Sequence, residues 1–274
     1  MQPKLPLLTL SKFKSDYVKK IKFGYEFEFA ELVDEISPQI QSAITKIYGP
    51  KMVRIDPLSY NHDDKKKRHQ YNKWNFIYEG MGSELITPIL RLPDLKRVYQ
   101  VCSILKKEVS FDRHCGFHIH ISLAGITDSD KFAFTWLMFE PALTFLVHQS
   151  RYSNSCCKRL SKWARPDINA KPLVDYYDRI SDCSRSHDTA LSLRNYKINK
   201  TAEIRFLEGI IDKTDVRAWT DIILKLLLFS TKIDNIMEFV TGTYFVVDLG
   251  GLINTLDITE KHLLDWIFNR VGAC

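Results

Sequence analysis

The chain has 274 residues, 45% hydrophobic and 26% charged, a balance that excludes a disordered polyelectrolyte and provides for a folded core. Its longest apolar stretch, residues 222–229, is interrupted by Lys225 and falls far short of the ~20 residues of a membrane span. The 39 basic against 33 acidic residues give a net charge of +6, which favours an anionic or phosphorylated ligand without requiring nucleic acid.

The opening, "MQPKLPLLTLSKFK", has no long apolar run leading to a small-residue cleavage site, so no signal peptide is expected. The first predicted strand is 21–29, "IKFGYEFEF". Side chains alternate faces along a strand, which puts Glu26 and Glu28 on one side and Tyr25, Phe27 and Phe29 on the other. "NHDDKKKRHQYNK" at 61–73 has no apolar periodicity and reads as a surface loop whose basic run, 62–69, could hold an anionic substrate or a nucleic acid. Short strands follow at 74–79 and 83–87, the second presenting Glu84 and ending at Thr87-Pro88. A helix over 94–108 repeats apolar residues at Leu95, Val98, Cys102 and Leu105.

The strand 115–123 contains "CGFHIHIS", with His118 and His120 on one face and Phe117, Ile119 and Ile121 on the other. Taken alone, this pair also suits an ordinary strand with one wet face. A helix over 129–148 follows the cap signal of Thr127 and Asp128, and the strand 201–207 puts Glu203 and Arg205 on one face. A long helix is expected over 215–240 and a last one over 259–270. Strands interspersed with helices, and polar strand faces that resemble one another, predict an antiparallel or mixed sheet with helices on its apolar side. Cys102, Cys115, Cys156, Cys157, Cys183 and Cys274 form no C-x-x-C and suit neither a disulfide framework nor a zinc site, so a reduced, cytoplasmic protein is expected.

An ordinary wet sheet face mixes Lys, Thr, Ser, Gln and Glu. Here the polar positions are almost only Glu, His and Arg. Should these faces line one concavity, four carboxylates crowd together and repel, and Arg205 alone cannot offset them. Oxygen-rich sites with an occasional imidazole suit Mg²⁺ or Mn²⁺ better than Zn²⁺. Two such cations in one pocket typically bridge nucleotide phosphates. There is no H-E-x-x-H, no G-x-x-x-x-G-K-[ST] and no G-x-G-x-x-G after a strand, so zinc-hydrolase, P-loop and Rossmann readings are unsupported.

Four motifs in order resemble those of the amidoligase family, carboxylate–amine ligases of the glutamine synthetase and glutamate–cysteine ligase superfamily. They are G-x-E-x-E (Gly24, Glu26, Glu28), E-[LI]-x-[ST]-P (Glu84 to Pro88), G-x-H-x-H (Gly116, His118, His120) and T-x-E-x-R (Thr201, Glu203, Arg205). The resemblance implies an α+β fold of glutamine synthetase catalytic-domain type, with a curved, mainly antiparallel sheet and helices on its convex side. It implies one catalytic domain over 1–274, with a motif core of about 21–212 and a helical part over 213–274. It further implies that ATP phosphorylates a substrate carboxylate and that an amine displaces phosphate from the acyl phosphate, leaving an amide and ADP.

By the same resemblance, Glu28 and Glu84 hold one metal ion, and Glu26, His118 and Glu203 hold another on the nucleotide phosphates. His120 is a nucleotide or neighbouring contact, and Arg205 faces the transferring phosphoryl group. Arg151 and Asn154, with Arg194 or Lys197, are candidates for the acyl phosphate, the substrate carboxylate or the nucleotide, against a plain surface or salt-bridge role. Glu208 is a candidate base for the attacking amine, against a solvated residue in a turn beside Gly209. The substrate pair stays open among amino acids, γ-glutamyl compounds, peptides, peptidoglycan fragments and protein side chains. Two other functions stay open: a kinase on the same scaffold, and a binding or anti-defence module that contacts nucleic acid or a protein through 62–69.

Overall fold

The structure is a computed structural model that describes residues 20–56, 70–79, 82–110, 115–148, 151, 158–159, 189–236 and 247–272. Asn154 and the 62–69 run lie outside the described residues. Seven strands and seven α-helices occur among those described, with a mixed α and β content and mostly antiparallel pairing. The chain divides into two compact units, one of Lys22–Ile121 with Leu207–Arg217, the other of Met1–Ile21, Ser122–Phe206 and Ala218–Cys274.

The first unit is built on strands β1 (Phe23–Phe29), β2 (Val53–Asp56), β3 (Trp74–Glu79), β4 (Gly82–Ile86) and β5 (Gly116–Ser122), in the order β2-β3-β4-β1-β5. β2 runs parallel to β3, and the other three pairings are antiparallel. The alternation expected of β1 is observed: Tyr25, Phe27 and Phe29 are buried while Glu26 and Glu28 are partly open. Phe27 stacks on Phe117 of β5 with ring centroids 5.0 Å apart, and Phe29 meets Phe76 of β3 edge-on at 6.0 Å. One sheet face is thus an aromatic core.

Helices α1 (Val33–Tyr48) and α2 (Leu95–Leu105) belong to this unit. Val33, Ile36, Ile40, Ala43 and Ile44 form the buried stripe of α1, and the Tyr48 ring meets Trp74 edge-on at 5.7 Å on the aromatic face. No helix was expected at 33–48. Leu32 cannot cap with its side chain, and Pro38 removes one interior N–H. The start is fixed instead by Glu35, whose carboxylate accepts from the Leu32 N–H at 2.9 Å.

The Thr87-Pro88 ending of β4 has a local cause. Thr87 N–H donates to the Tyr25 carbonyl at 2.9 Å, and Tyr25 N–H donates to Thr87 Oγ1 at 2.9 Å. A hydroxyl thus completes the ladder just where proline, having no N–H, stops it.

The second unit contains the two-residue strand β6 (Leu191–Ser192) and all of β7 (Thr201–Glu208) but its last two residues; the two strands pair antiparallel through Leu191–Ile204 and Ser192–Glu203. Its helices are α3 (Ser129–Thr144), α4 (Tyr196–Asn199), α6 (Leu249–Thr255) and α7 (Lys261–Gly272), with most of α5 (Lys213–Ser230). A run of edge-on rings ties β7 to three helices. Trp136–Phe206, Phe206–Trp219 and Trp219–Trp266 have centroids 5.6, 6.2 and 5.4 Å apart.

Two expected helices are too long. The one over 129–148 ends at Thr144, whose hydroxyl bonds back to the Glu140 carbonyl at 2.7 Å. The one over 215–240 begins at Lys213 and ends at Ser230. There Ser230 and Thr231 hydroxyls donate to the Leu227 and Leu228 carbonyls at 2.6 and 2.8 Å, taking acceptors that a continuing helix would use. Among the described residues, no helix is long and apolar enough to cross a membrane.

Candidate metal centre

Strand register brings the acids and imidazoles of the first unit together. Glu26 stands opposite His118, Gly24 opposite His120, and Glu28 opposite Glu84, all on the face away from the aromatic core. Directly opposed residues have Cβ atoms about 4.5–5.5 Å apart, so three strands place five titratable groups within reach of one another. Ile77 faces Glu84 across β3 and β4, and Ile86 faces Glu26, which puts apolar neighbours beside the carboxylates. Glu84 and His118 are only 1% and 3% exposed.

The imidazoles thread between the carboxylates. His118 Nδ1 is 3.2 Å from Glu26 Oε2, and its Nε2 is 3.3 Å from Glu28 Oε1. His120 Nε2 lies 2.9 Å from Glu26 Oε1. Glu28 Oε2 accepts the Gly116 N–H at 2.5 Å. Burial pushes the Glu26 carboxyl up, but the charge of His120 and the hydrogen bonds of both imidazoles outweigh it and hold the group well below the usual carboxylate range. Glu26 is therefore a carboxylate at neutral pH.

Glu26, Glu84 and His118 each offer one ligand atom, and these atoms lie within 4.8 Å of one another. Two carboxylates and an imidazole around one point form a donor set that fits a hard or borderline divalent cation. Such an ion would offset the like charges gathered on this face. The residues present fit the group.

In the second unit, Glu203 is buried, and its carboxylate accepts from the Arg205 guanidinium two residues along β7. Arg151 is also buried, and its Nη2 donates to the Arg205 carbonyl at 2.8 Å. Arg151 thereby braces the backbone under Arg205. Arg194, in the turn after β6, and Lys197, in α4, are exposed. Glu208, last residue of β7, is buried, which corrects the reading of it as solvated: it ends the strand with its side chain turned inward, before the bend at Gly209.

A family model described as "Putative amidoligase enzyme" matches residues 19–227, about three-quarters of the chain. The chain belongs to the amidoligase family. The match covers all four motifs, from Gly24 to Arg205, and identifies the family named by their resemblance. No curated protein matches the sequence.

Two features of this amidoligase were not visible in its motifs as strings. One is the amide of Gly116, which holds Glu28, because a backbone donor has no residue type of its own. The other is the bracing of Arg205 by Arg151, a contact across 54 residues. Only the presence of Arg151 in a polar stretch after the apolar helix pointed to it.

Proposed function

We propose that this amidoligase is an ATP- and Mg²⁺- or Mn²⁺-dependent carboxylate–amine ligase with a glutamine synthetase-like catalytic domain over 1–274. The observation that carries the reading is the meeting of Glu26, Glu84 and His118 on one sheet face, in a chain of this family. In the proposed reaction a substrate carboxylate oxygen attacks the γ-phosphorus of ATP and ADP leaves. An amine then attacks the acyl carbon, phosphate leaves, and one proton passes from the amine to a base.

Glu26, Glu84 and His118 would hold a divalent cation, with Glu28 and His120 at their side; when bound, it supplies positive charge at the nucleotide phosphates. Phosphoryl transfer asks the protein chiefly for positioning and charge neutralisation, so the absence of an activated Ser or Cys from the motifs is consistent with the reading. Arg205 is assigned to the transferring phosphoryl group, where a planar and permanently charged donor is most effective. Glu203 orients its guanidinium, and Glu203 keeps its assignment as a metal ligand. Glu208 is carried only as a candidate for that base, since alternation along β7 puts it on the face of Ile204 and Phe206 and not on that of Glu203 and Arg205. Arg151, Arg194, Lys197 and Asn154 are the substrate and nucleotide candidates.

The test is ADP release with Mg²⁺ over a matrix of carboxylate and amine pools, followed by mass spectrometry of the products. The expected result is ADP release that needs both pools, with an amide product of mass equal to the two substrates less water. ADP release that needs an acceptor but no amine would replace the ligase by a kinase. Steeply salt-dependent nucleic-acid binding without turnover would replace it by a binding module.

A further inference from the structure

Gly116 opens the histidine strand, and its side-chain position is already taken. A Cβ built there would lie 2.7 Å from His118 Nε2 and 2.8 Å from Glu28 Oε2. Bonded geometry does not demand a glycine at this point. Gly49 and Gly125 are the glycines with positive φ among the described residues, whereas Gly116 sits in an ordinary extended strand that any residue can adopt. Its requirement is for room, and the room is filled by two groups of the candidate metal centre.

Gly116 also contributes directly. Its N–H donates to Glu28 Oε2 at 2.5 Å, while Glu28 Oε1 lies 3.3 Å from His118 Nε2. A backbone amide in a strand has no rotamer freedom, so it fixes the carboxylate plane more firmly than a side-chain donor could. Gly24 provides an internal contrast. It lies on the same face of β1, yet a Cβ there would meet His120 Cβ at 3.7 Å, an ordinary contact. The two motif glycines are not equivalent.

We propose that Gly116 is a positioning residue of the metal centre, which sets the Glu28 carboxylate against the His118 imidazole through its N–H and its missing side chain. This rests on the metal reading above for its functional consequence, but its geometric content does not. A methyl group at 116 must displace the Glu28 carboxylate, the His118 ring, or both. Both are ends of side chains, so the sheet can survive the substitution while the centre does not.

The test has a metal-free arm and a metal arm, each applied to wild type, Gly116→Ala and Gly24→Ala. Without metal, the ring nitrogen resonances of His118 should shift in Gly116→Ala and stay in place in Gly24→Ala; unmoved His118 signals in folded Gly116→Ala would overturn the proposal. With Mn²⁺, calorimetry should show affinity reduced about 10- to 100-fold in Gly116→Ala, the usual effect of losing a partner of a metal ligand, and little changed in Gly24→Ala. Unchanged Mn²⁺ affinity in Gly116→Ala would also overturn it. A wild type that binds no Mn²⁺ would defeat the metal reading instead, leaving the metal-free arm to decide on Gly116. Should Gly116→Ala fail to fold, the same change in a Glu28→Ala/His118→Ala background should cost no stability, since the crowded atoms are gone. An equal loss of folding there would overturn the proposal.

Discussion

Lys225 breaks the apolar run of α5 and is only 3% exposed. Its Nζ lies 3.0 Å from Glu260 Oε1 and donates to the carbonyls of Asp257 at 3.0 Å and Leu256 at 3.5 Å. Those carbonyls follow α6, so one cation joins α5 to the α6–α7 connection and caps a helix C-terminus. Lys225→Met keeps the stem and removes the charge. Breaking a fully buried ion pair by losing one partner costs about 3–5 kcal/mol. Glu260 is 30% exposed, so water recovers part of its charge, which brings the expected loss to about 2–3 kcal/mol.

Burial pushes the Glu260 carboxyl up, but backbone N–H groups and the Lys225 ammonium hold it below its ordinary 4.5. A depressed folded value means that the stabilisation is fully present above pH 4.5 and is lost as pH falls through the folded value. Urea unfolding should therefore show a lower midpoint for Lys225→Met at pH 7, a gap that narrows below pH 4.5, and partial recovery in Lys225→Met/Glu260→Gln. A single variant that unfolds with wild type at pH 7, or a double variant no better than the single, would refute the clamp.

Three further outcomes are expected. Glu84→Gln takes one buried carboxylate from the candidate donor set, so calorimetry should show Mn²⁺ affinity lost in the folded protein; a retained affinity removes Glu84 from the centre. Gly82→Ala puts a Cβ 2.2 Å from the Phe29 carbonyl oxygen, a backbone atom that cannot step aside, and chemical unfolding should register a loss of about 1–3 kcal/mol. Phe206→Ala empties the ring position between Trp136 and Trp219 and should lower stability by about 3–5 kcal/mol in the same assay, with a loss under 1 kcal/mol counting against the aromatic chain.

Much of the candidate centre could be read from period-two alternation. In β1 and β5 the Glu and His positions share one face and the apolar positions opposite are aromatic or β-branched, so the two faces separate cleanly. The register that sets Glu26 against His118 and Glu28 against Glu84 was not legible, because pairing is decided between strands and not within one. Helix α1 was hidden by Pro38 and by an apolar N-cap, although its Val33–Ile36–Ile40–Ile44 stripe has the helical period. β2 and β6 are too short for any alternation to show, and α6 carries two glycines in its first turn. The end of α5 was decided by Ser230 and Thr231 hydroxyls, a local competition that apolar periodicity does not register.

Pulsed electron paramagnetic resonance on the Mn²⁺-loaded protein tests most directly whether the acids and the imidazole of this sheet face share a cation. Modulation from a directly bound imidazole nitrogen should appear in wild type and vanish in His118→Ala. Bound Mn²⁺ with no nitrogen coupling, or a coupling that survives in His118→Ala, would contradict it.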